Sequence, residues 1–199
     1  LMISAGCAFG VLLHRDQFAV QGLQGLCAQD IEAFLAKDKR CRLISALKQG
    51  SSGMQAGIEP VLLPFNAPLA QIRDNLNAGV LRTANLGELT LIGQGAGGPP
   101  TAHAVLTDLL EILNDHPVSP LTLQETNLCE NPEAVRYYIG TQAETAGLFA
   151  ELIQEIRRSG GRTQLWTVPT ANNRLKALIA QARAQDPQLF AARIEEEAR

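Results

Sequence analysis

The sequence predicts an α+β protein, a sheet with helices packed on one face followed by a small βαβαβ module. Three observations carry that expectation. Short apolar runs that read as strands alternate with stretches of helical spacing along the chain. Turns rich in Gly, Pro and Asn separate them. The content of 46% hydrophobic and 19% charged residues is that of an ordinary globular protein, and 199 residues can bury one good core or two small ones.

Leu1 to Leu13 suits a buried helix, although no capping residue precedes it. Either Met2 is a late start or something N-terminal has been removed. Phe18 to Leu23 reads as a short strand closed by Gly22 and Gly25. Ala28 to Leu35 starts a helix with Asp30 and Glu32 in its first turns, as the dipole favours, and Ile31, Phe34 and Leu35 form its apolar stripe. Arg42 to Leu47 is the next strand, Gln49 to Ala56 an exposed hairpin tip, and Ile58 to Leu63 a strand. Pro60 puts that last strand at an edge or a bulge. A short helix over Ala67 to Ile72 precedes a hairpin, Ala78 to Ala84 with Glu88 to Ile92, turning at Asn85-Leu86-Gly87. A helix follows from Pro99 to Asn114, with Ala102, Val105, Leu106, Leu109, Leu110 and Leu113 on its buried side.

Residues 116–134 read as a linker, because Pro117, Pro120 and Pro132 fall where no periodicity is sustained. The chain then divides into residues 1–115, the linker and residues 135–199. The last part shows a strand (Val135 to Ile139), a helix (Thr145 to Arg158), a strand (Thr163 to Val168), a helix (Asn173 to Ala184) and a strand (Leu189 to Ile194).

A net charge of -3 and the absence of any basic run exclude a nucleic-acid partner. Cys7, Cys27, Cys41 and Cys129 form no CxxC pair and no metal-ligand spacing, which fits a reducing, cytoplasmic compartment. Cys7 reads as a small buried hydrophobe rather than a nucleophile. No window approaches the ~20 apolar residues of a membrane span, and no secretory signal is evident.

The most specific signal is Gly93-Gln94-Gly95-Ala96-Gly97-Gly98-Pro99-Pro100-Thr101-Ala102, set between a strand and a helix. Its glycines allow left-handed backbone and close approach of a ligand, and the helix behind them offers unpaired N–H groups. Such a turn suits a phosphate, a carboxylate or a cofactor ring edge. It equally suits a close helix–sheet contact, and on local residues alone the two readings stand level. His103, one turn into the helix, reads as a surface or capping residue. His14 and His116 lack a partner at a suggestive spacing, and Asp108 and Glu111 look like a solvated face. No nucleophile–base–orienter set and no metal site can be assembled, so no catalytic residue is assigned.

The stretch from Gly93 to Leu109 resembles the homoserine dehydrogenase signature G-x-G-A-G-x-x-P-T-A-x-A-V-x-x-D-L. Asn77-Ala78 and Gly87-Glu88-Leu89-Thr90-Leu91-Ile92 resemble the family's approach to it. Upstream, Ala8-Phe9-Gly10, then Val20 to Leu26, Asp30-Ile31 and Arg42-Leu43-Ile44 follow its order, so the resemblance runs from about Leu1 to Leu113. It implies part of an oxidoreductase of threonine and methionine biosynthesis. The complete enzyme interconverts aspartate semialdehyde and homoserine with NAD or NADP. The family's Rossmann domain and its catalytic Asp and Lys, in D-x-x-G-x-D-A-x-x-K, match nothing in these 199 residues. What carries over is the backbone of Gly95, Ala96 and Gly97, which the family places beside the cofactor. His103 stands where the family more usually has a small residue.

Residues 135–199 resemble an ACT regulatory domain, of ferredoxin-like fold, through Arg136-Tyr137-Tyr138-Ile139 and Gly147-Leu148-Phe149-Ala150-Glu151-Leu152. The customary Asp-x-Pro-Gly lead-in is replaced by Glu144-Thr145-Ala146-Gly147, and three strands are visible where four are expected. The resemblance implies a homo-oligomer, a dimer paired through the early sheet. The rival reading is a catalytically dead standalone protein for dimerisation or amino-acid sensing, derived from the enzyme.

Overall fold

The computed structural model describes residues 1–50, 53–114, 121–130, 133–142 and 144–196. The tip of the Gly/Ser loop at 51–52, His116, Pro117, Pro120 and Pro132 lie outside them. In chain order the elements are α1 (Met2–Phe9), β1 (Val11–Leu12), α2 (Ala28–Leu35), β2 (Lys39–Gly50), β3 (Gly53–Pro64), β4 (Leu76–Thr83), β5 (Gly87–Gln94) and α3 (Gly98–Leu113). There follow β6 (Gln124–Glu125), β7 (Ala134–Thr141), β8 (Ile153–Ser159), β9 (Arg162–Thr167), β10 (Thr170–Ala171), α4 (Asn172–Gln185) and β11 (Phe190–Ile194). Arg15–Gln17, Pro68–Gln71 and Thr145–Leu152 are 3-10 segments. No helix of the described residues is long and apolar enough to cross a membrane.

The chain forms two compact units, Leu1–Phe65 with Thr122–Arg199 and, separately, Asn66–Leu121. The first is organised by one seven-stranded sheet of order β2-β3-β11-β7-β9-β8, with β10 paired to β7. The sheet thus draws strands from both sides of the 116–134 segment. Its β3–β11 pairing is parallel and its other neighbours are antiparallel.

Alternate residues of the central strands feed opposite cores, as the pleat requires. Tyr137, Ile139, Leu165 and Ala191 pack on one face with Phe149, Leu175, Ile179 and Ala182 from the Thr145–Leu152 segment and α4. Tyr138, Trp166, Phe190 and Ala192 pack on the other with Ala33 and Phe34 of α2. Helical elements therefore cover both faces of this sheet, where the sequence pattern placed them on one. The Phe34 ring meets Tyr138 edge-on with centroids 4.7 Å apart.

The structure departs from the sequence expectations in several elements. The first helix stops at Phe9, because Gly10 takes a left-handed conformation (φ 65°) and ends it. Cys7 on that helix is exposed, since Ala5 and Gly6 form the buried side. Phe18 to Leu23 is no strand beyond a single bridge, Val20 to Ile58. The inward face of α2 is Asp30, Ala33 and Phe34, while Ile31 and Leu35 are exposed.

Pro60 sits in the internal strand β3, opposite Leu43 of β2. Ile58 uses its N–H and C=O on Ala19 and Gln21, and the Leu62 carbonyl accepts from Glu195. Pro60 has the same parity as both, so its missing N–H falls in the gap between two successive partners.

Residues 145–158 are not one helix. The 3-10 segment ends at Leu152, and Ile153–Ser159 becomes β8, paired to β9 through Gly160-Gly161. Both glycines have positive φ, 57° and 80°, which matches the twist of a two-residue hairpin. The last part of the chain thus holds four principal strands, and its order is βαββαβ rather than βαβαβ.

Within Asn66–Leu121, β4 and β5 pair from Leu76↔Gln94 to Thr83↔Gly87, the hairpin that Asn85-Leu86-Gly87 predicts. Helix α3 forms where expected but has no buried residue. Val105, Leu106, Leu109, Leu110 and Leu113 are between 48% and 71% exposed, so the expected buried side is uncovered in this chain.

Candidate functional site

Strand β5 ends at Gln94 and α3 begins at Gly98, leaving Gly95-Ala96-Gly97 as the connection. Gly97 is the N-cap residue, with φ 114° and ψ 161°. An L side chain rarely adopts that backbone, so glycine is required there. Pro99 and Pro100 occupy the first turn, where a missing N–H removes no intrahelical bond. The Thr101 hydroxyl donates to the Gly97 carbonyl at 2.8 Å, and the Thr101 N–H reaches the same oxygen at 3.2 Å.

Asn75 fixes the turn from the side of β4. Its carbonyl accepts the Gly95 N–H at 2.8 Å, and its Nδ2 donates to the Ala96 carbonyl at 3.0 Å. A Cβ on Gly95 would fall on the amide of Asn77, an exposed side chain that would have to swing aside. Gly97 differs. A Cβ there would meet nothing closer than Pro100 Cδ at 3.7 Å and Asn75 Nδ2 at 3.9 Å, and one on Gly98 would meet nothing within 4 Å. The three residues are exposed. The turn is therefore pinned on its Asn75 side and open along Gly97-Gly98, where Gly98 alone of the first turn offers an N–H without an intrahelical acceptor, Pro99 and Pro100 having none and that of Thr101 reaching Gly97.

Such a turn can present backbone donors and a surface free of side chains to a flat or anionic ligand. It carries no group able to accept or deliver a proton in a reaction. The sequence signal found the turn through its glycines. It missed Asn75, because an asparagine just before a strand looks like ordinary turn chemistry, and it met Asn77 only through the family resemblance.

The other singled-out residues do not converge on this turn. The His103 side chain is exposed, and its carbonyl accepts from Thr107 Oγ1. Asp108 and Glu111 are exposed on α3. His14, which had no partner in sequence, gains one in space, with Nε2 3.3 Å from Glu125 Oε1 on the surface. Among the described residues no three His, Cys, Asp or Glu side chains gather as a metal would need. Burial pushes the Cys41 thiol up to about 12, which makes it unreactive. An open groove of about 520 Å³ runs between the Thr145–Leu152 segment and α4, with Leu148, Ala177 and Leu178 along it and Glu151 and Arg174 paired at 3.3 Å.

The sequence model of homoserine dehydrogenase matches residues 1–110. The homoserine dehydrogenase of Corynebacterium glutamicum is 30% identical over 168 residues, covering 75% of this chain and 38% of that protein. That of Pseudomonas aeruginosa is 25% identical over 182 residues, covering 80% of this chain and 40% of its own length. Among solved structures, a homoserine dehydrogenase from Thiobacillus denitrificans superposes with a TM-score of 0.72 at 21% identity, over 98% of this chain and 51% of that one. One from S. aureus gives 0.65 at 17% identity, over 99% and 50%. The chain thus spans about two fifths of the length of these curated relatives and half that of the solved chains.

Proposed function

The chain belongs to the homoserine dehydrogenase family, and from that premise we propose that it is part of an enzyme moving a hydride between NAD(P)H and aspartate semialdehyde. The observation that supports this reading best is the turn itself. The residues that resemble the family signature lie on a strand–turn–helix unit, with Gly97 at positive φ and its backbone exposed.

In the complete enzyme the nicotinamide supplies the hydride. The contribution of this stretch is positional. Gly95, Ala96 and Gly97 would lie beside the cofactor, and Asn75 holds Gly95 and Ala96 so that the open Gly97-Gly98 edge keeps one geometry. Preorganisation of this kind lets the backbone bind without first being ordered. The catalytic Asp and Lys lie outside this stretch, so the 199 residues alone do not turn over homoserine with NAD or NADP. Measurable oxidation by the purified chain would overturn that statement.

The contact is tested in the complete enzyme by Gly97→Val. The branched side chain would stand where the cofactor approaches and would also strain the turn at its positive φ, so the KM for the cofactor should rise at least about tenfold, a change of ~1.4 kcal/mol, and Gly98→Ala, whose Cβ meets nothing within 4 Å, should raise it without that strain. Loss of soluble protein with unaltered kinetics in what survives would make the turn structural and withdraw the site.

The protein assembles as a homodimer in this reading. The exposed apolar side chains of β5 and α3, among them Leu91, Ile92, Leu106 and Ile112, support it. Sedimentation showing monomer alone at micromolar concentration would count against it. Residues 135–199 are read as an ACT-like module, supported by their βαββαβ order, with the Thr145–Leu152 3-10 segment in the first helix position, and by the sheet order β11-β7-β9-β8.

A further inference from the structure

Four segments meet at one end of the seven-stranded sheet. They are residues 22–30, the end of β7 at Gly140 to Gln142, the β8–β9 turn with Arg162, and the α4–β11 connection with Asp186 and Gln188. The meeting is tighter than general packing. Arg162 Nε donates to Asp30 Oδ1 and its Nη2 to Asp30 Oδ2, each at 2.8 Å. The same guanidinium donates to the Gly25 carbonyl at 2.8 Å and to the Gln188 carbonyl at 3.4 Å. Tyr138 completes the Asp30 carboxylate with its hydroxyl at 2.6 Å, and the Cys27 N–H adds a bond of 3.1 Å.

Two glycines make room for this cluster. A Cβ on Gly140 would collide with Asp30 and Arg162, so the ion pair lies directly over that Cα. A Cβ on Gly25 (φ 81°) would stand 2.5 Å from the Gln188 carbonyl oxygen, so the two backbones are in direct apposition.

Asp186 continues the chain of contacts. Its Oδ2 accepts the Thr141 hydroxyl at 2.7 Å and the Gln142 N–H at 3.0 Å, and its Oδ1 accepts the Gln188 N–H at 3.0 Å. One buried carboxylate therefore faces β7 with one oxygen and Gln188 with the other. Moving Thr141 or Gln142 reorients it, and Gln188 lies between it and both Gly25 and Arg162.

We propose that this junction is a relay, in which Asp186, Gln188 and Arg162 couple the conformation of Thr141-Gln142 to that of residues 22–30. The coupling is thermodynamic and so acts in both directions. It needs no ligand, and it stands or falls independently of whether residues 135–199 bind an amino acid. Its consequence is that an event at the Thr141-Gln142 end of the module changes the order of a segment inside the family-matched region.

The test is hydrogen exchange, read peptide by peptide, on the 199-residue chain and two variants. Thr141→Val keeps the shape and removes one donor to Asp186. Exchange should quicken about five- to tenfold in residues 22–30 as well as beside residue 141. Arg162→Lys keeps the charge and loses the fork, and should quicken exchange at Gln142 as well as at 22–30. Thr141→Ser, which keeps the hydroxyl, should match the parent. Quickening confined to the segment that carries the substitution overturns the relay. A uniform rise that includes β2 and β3 also overturns it, since that would report global destabilisation.

Discussion

Tyr138 and Leu109 are both large side chains on regular elements, yet the first is fully buried and the second is 48% exposed. Around Tyr138 the aromatic rings of Phe34, Trp166 and Phe190 close one face of the sheet, and its hydroxyl meets a buried carboxylate. Burial first, and then Asp30, push the Tyr138 hydroxyl far above the ordinary phenol range, so it acts as a fixed donor. Around Leu109, α3 has no buried residue, and neither does the β4–β5 hairpin. Periodicity specifies a face, but what covers that face is a property of the assembly. The same i, i+3, i+4 pattern is satisfied in α4, through Leu175, Ile179 and Ala182, and left open in α3.

The largest effect that separates the two regions should come from Arg162→Ala. It leaves the Asp30 carboxylate, 0% exposed, without its cation, at a cost of about 3–5 kcal/mol. Burial alone would lower the Arg162 guanidinium, but the bonds and charge of Asp30 raise it overall, so the guanidinium stays charged. Denaturant unfolding followed by Trp166 fluorescence checks this. A loss under 1 kcal/mol would mean that the junction is hydrated and that the first unit is looser than its contacts imply.

Asp186 gives a smaller, pH-dependent effect. Burial acts to raise its carboxyl, but bonds from Thr141, Gln142 and Gln188 hold it below the usual 3.8. The folded value is thus depressed. Its stabilisation is present above the unfolded value and is lost as pH falls through the folded one. Asp186→Asn should cost about 1–3 kcal/mol at neutral pH, and the difference from the parent should shrink below about pH 4. A difference that is constant between pH 7 and pH 3 would show that the charge of Asp186 contributes nothing.

How much of this was legible in the sequence follows the range of the signals. Local ones were read correctly: Asn85-Leu86-Gly87 gave the hairpin, and Gly97-Gly98-Pro99-Pro100 gave the start of α3. Signals between distant residues were not. Asp30 looks like a first-turn acid suited to the helix dipole, and its partner Arg162 is 132 residues away. The β3–β11 pairing left no mark, because parallel partners share no turn. Ile153 to Ser159 carries apolar spacing compatible with a helix, and it is a strand because β9 offers an edge and Gly160-Gly161 turns the chain onto it. At the candidate site the glycines were legible and the hydrogen bonds of Asn75 were not, since a hydrogen-bonding side chain shows its target only in space.

The smallest effect should come from Leu109→Ala. In a packed helix this truncation costs about 2–5 kcal/mol, through lost burial and the cavity left behind. On α3 the side chain is half exposed and has no buried neighbour on its own helix, so little transfer energy is lost and no closed cavity forms. Alanine is also the better helix former by a small margin. The two terms nearly cancel, and the change should lie within about 0.5 kcal/mol at dilute concentration. The same substitution on α4, Leu175→Ala, should show the full core cost, because Leu175 is 0% exposed. Equal losses at the two positions would break the comparison, showing that α3 is covered in solution. If the loss at Leu109 grew with protein concentration, the cover would be a second copy of the chain, and sedimentation of the parent would show it as a dimer over the same range.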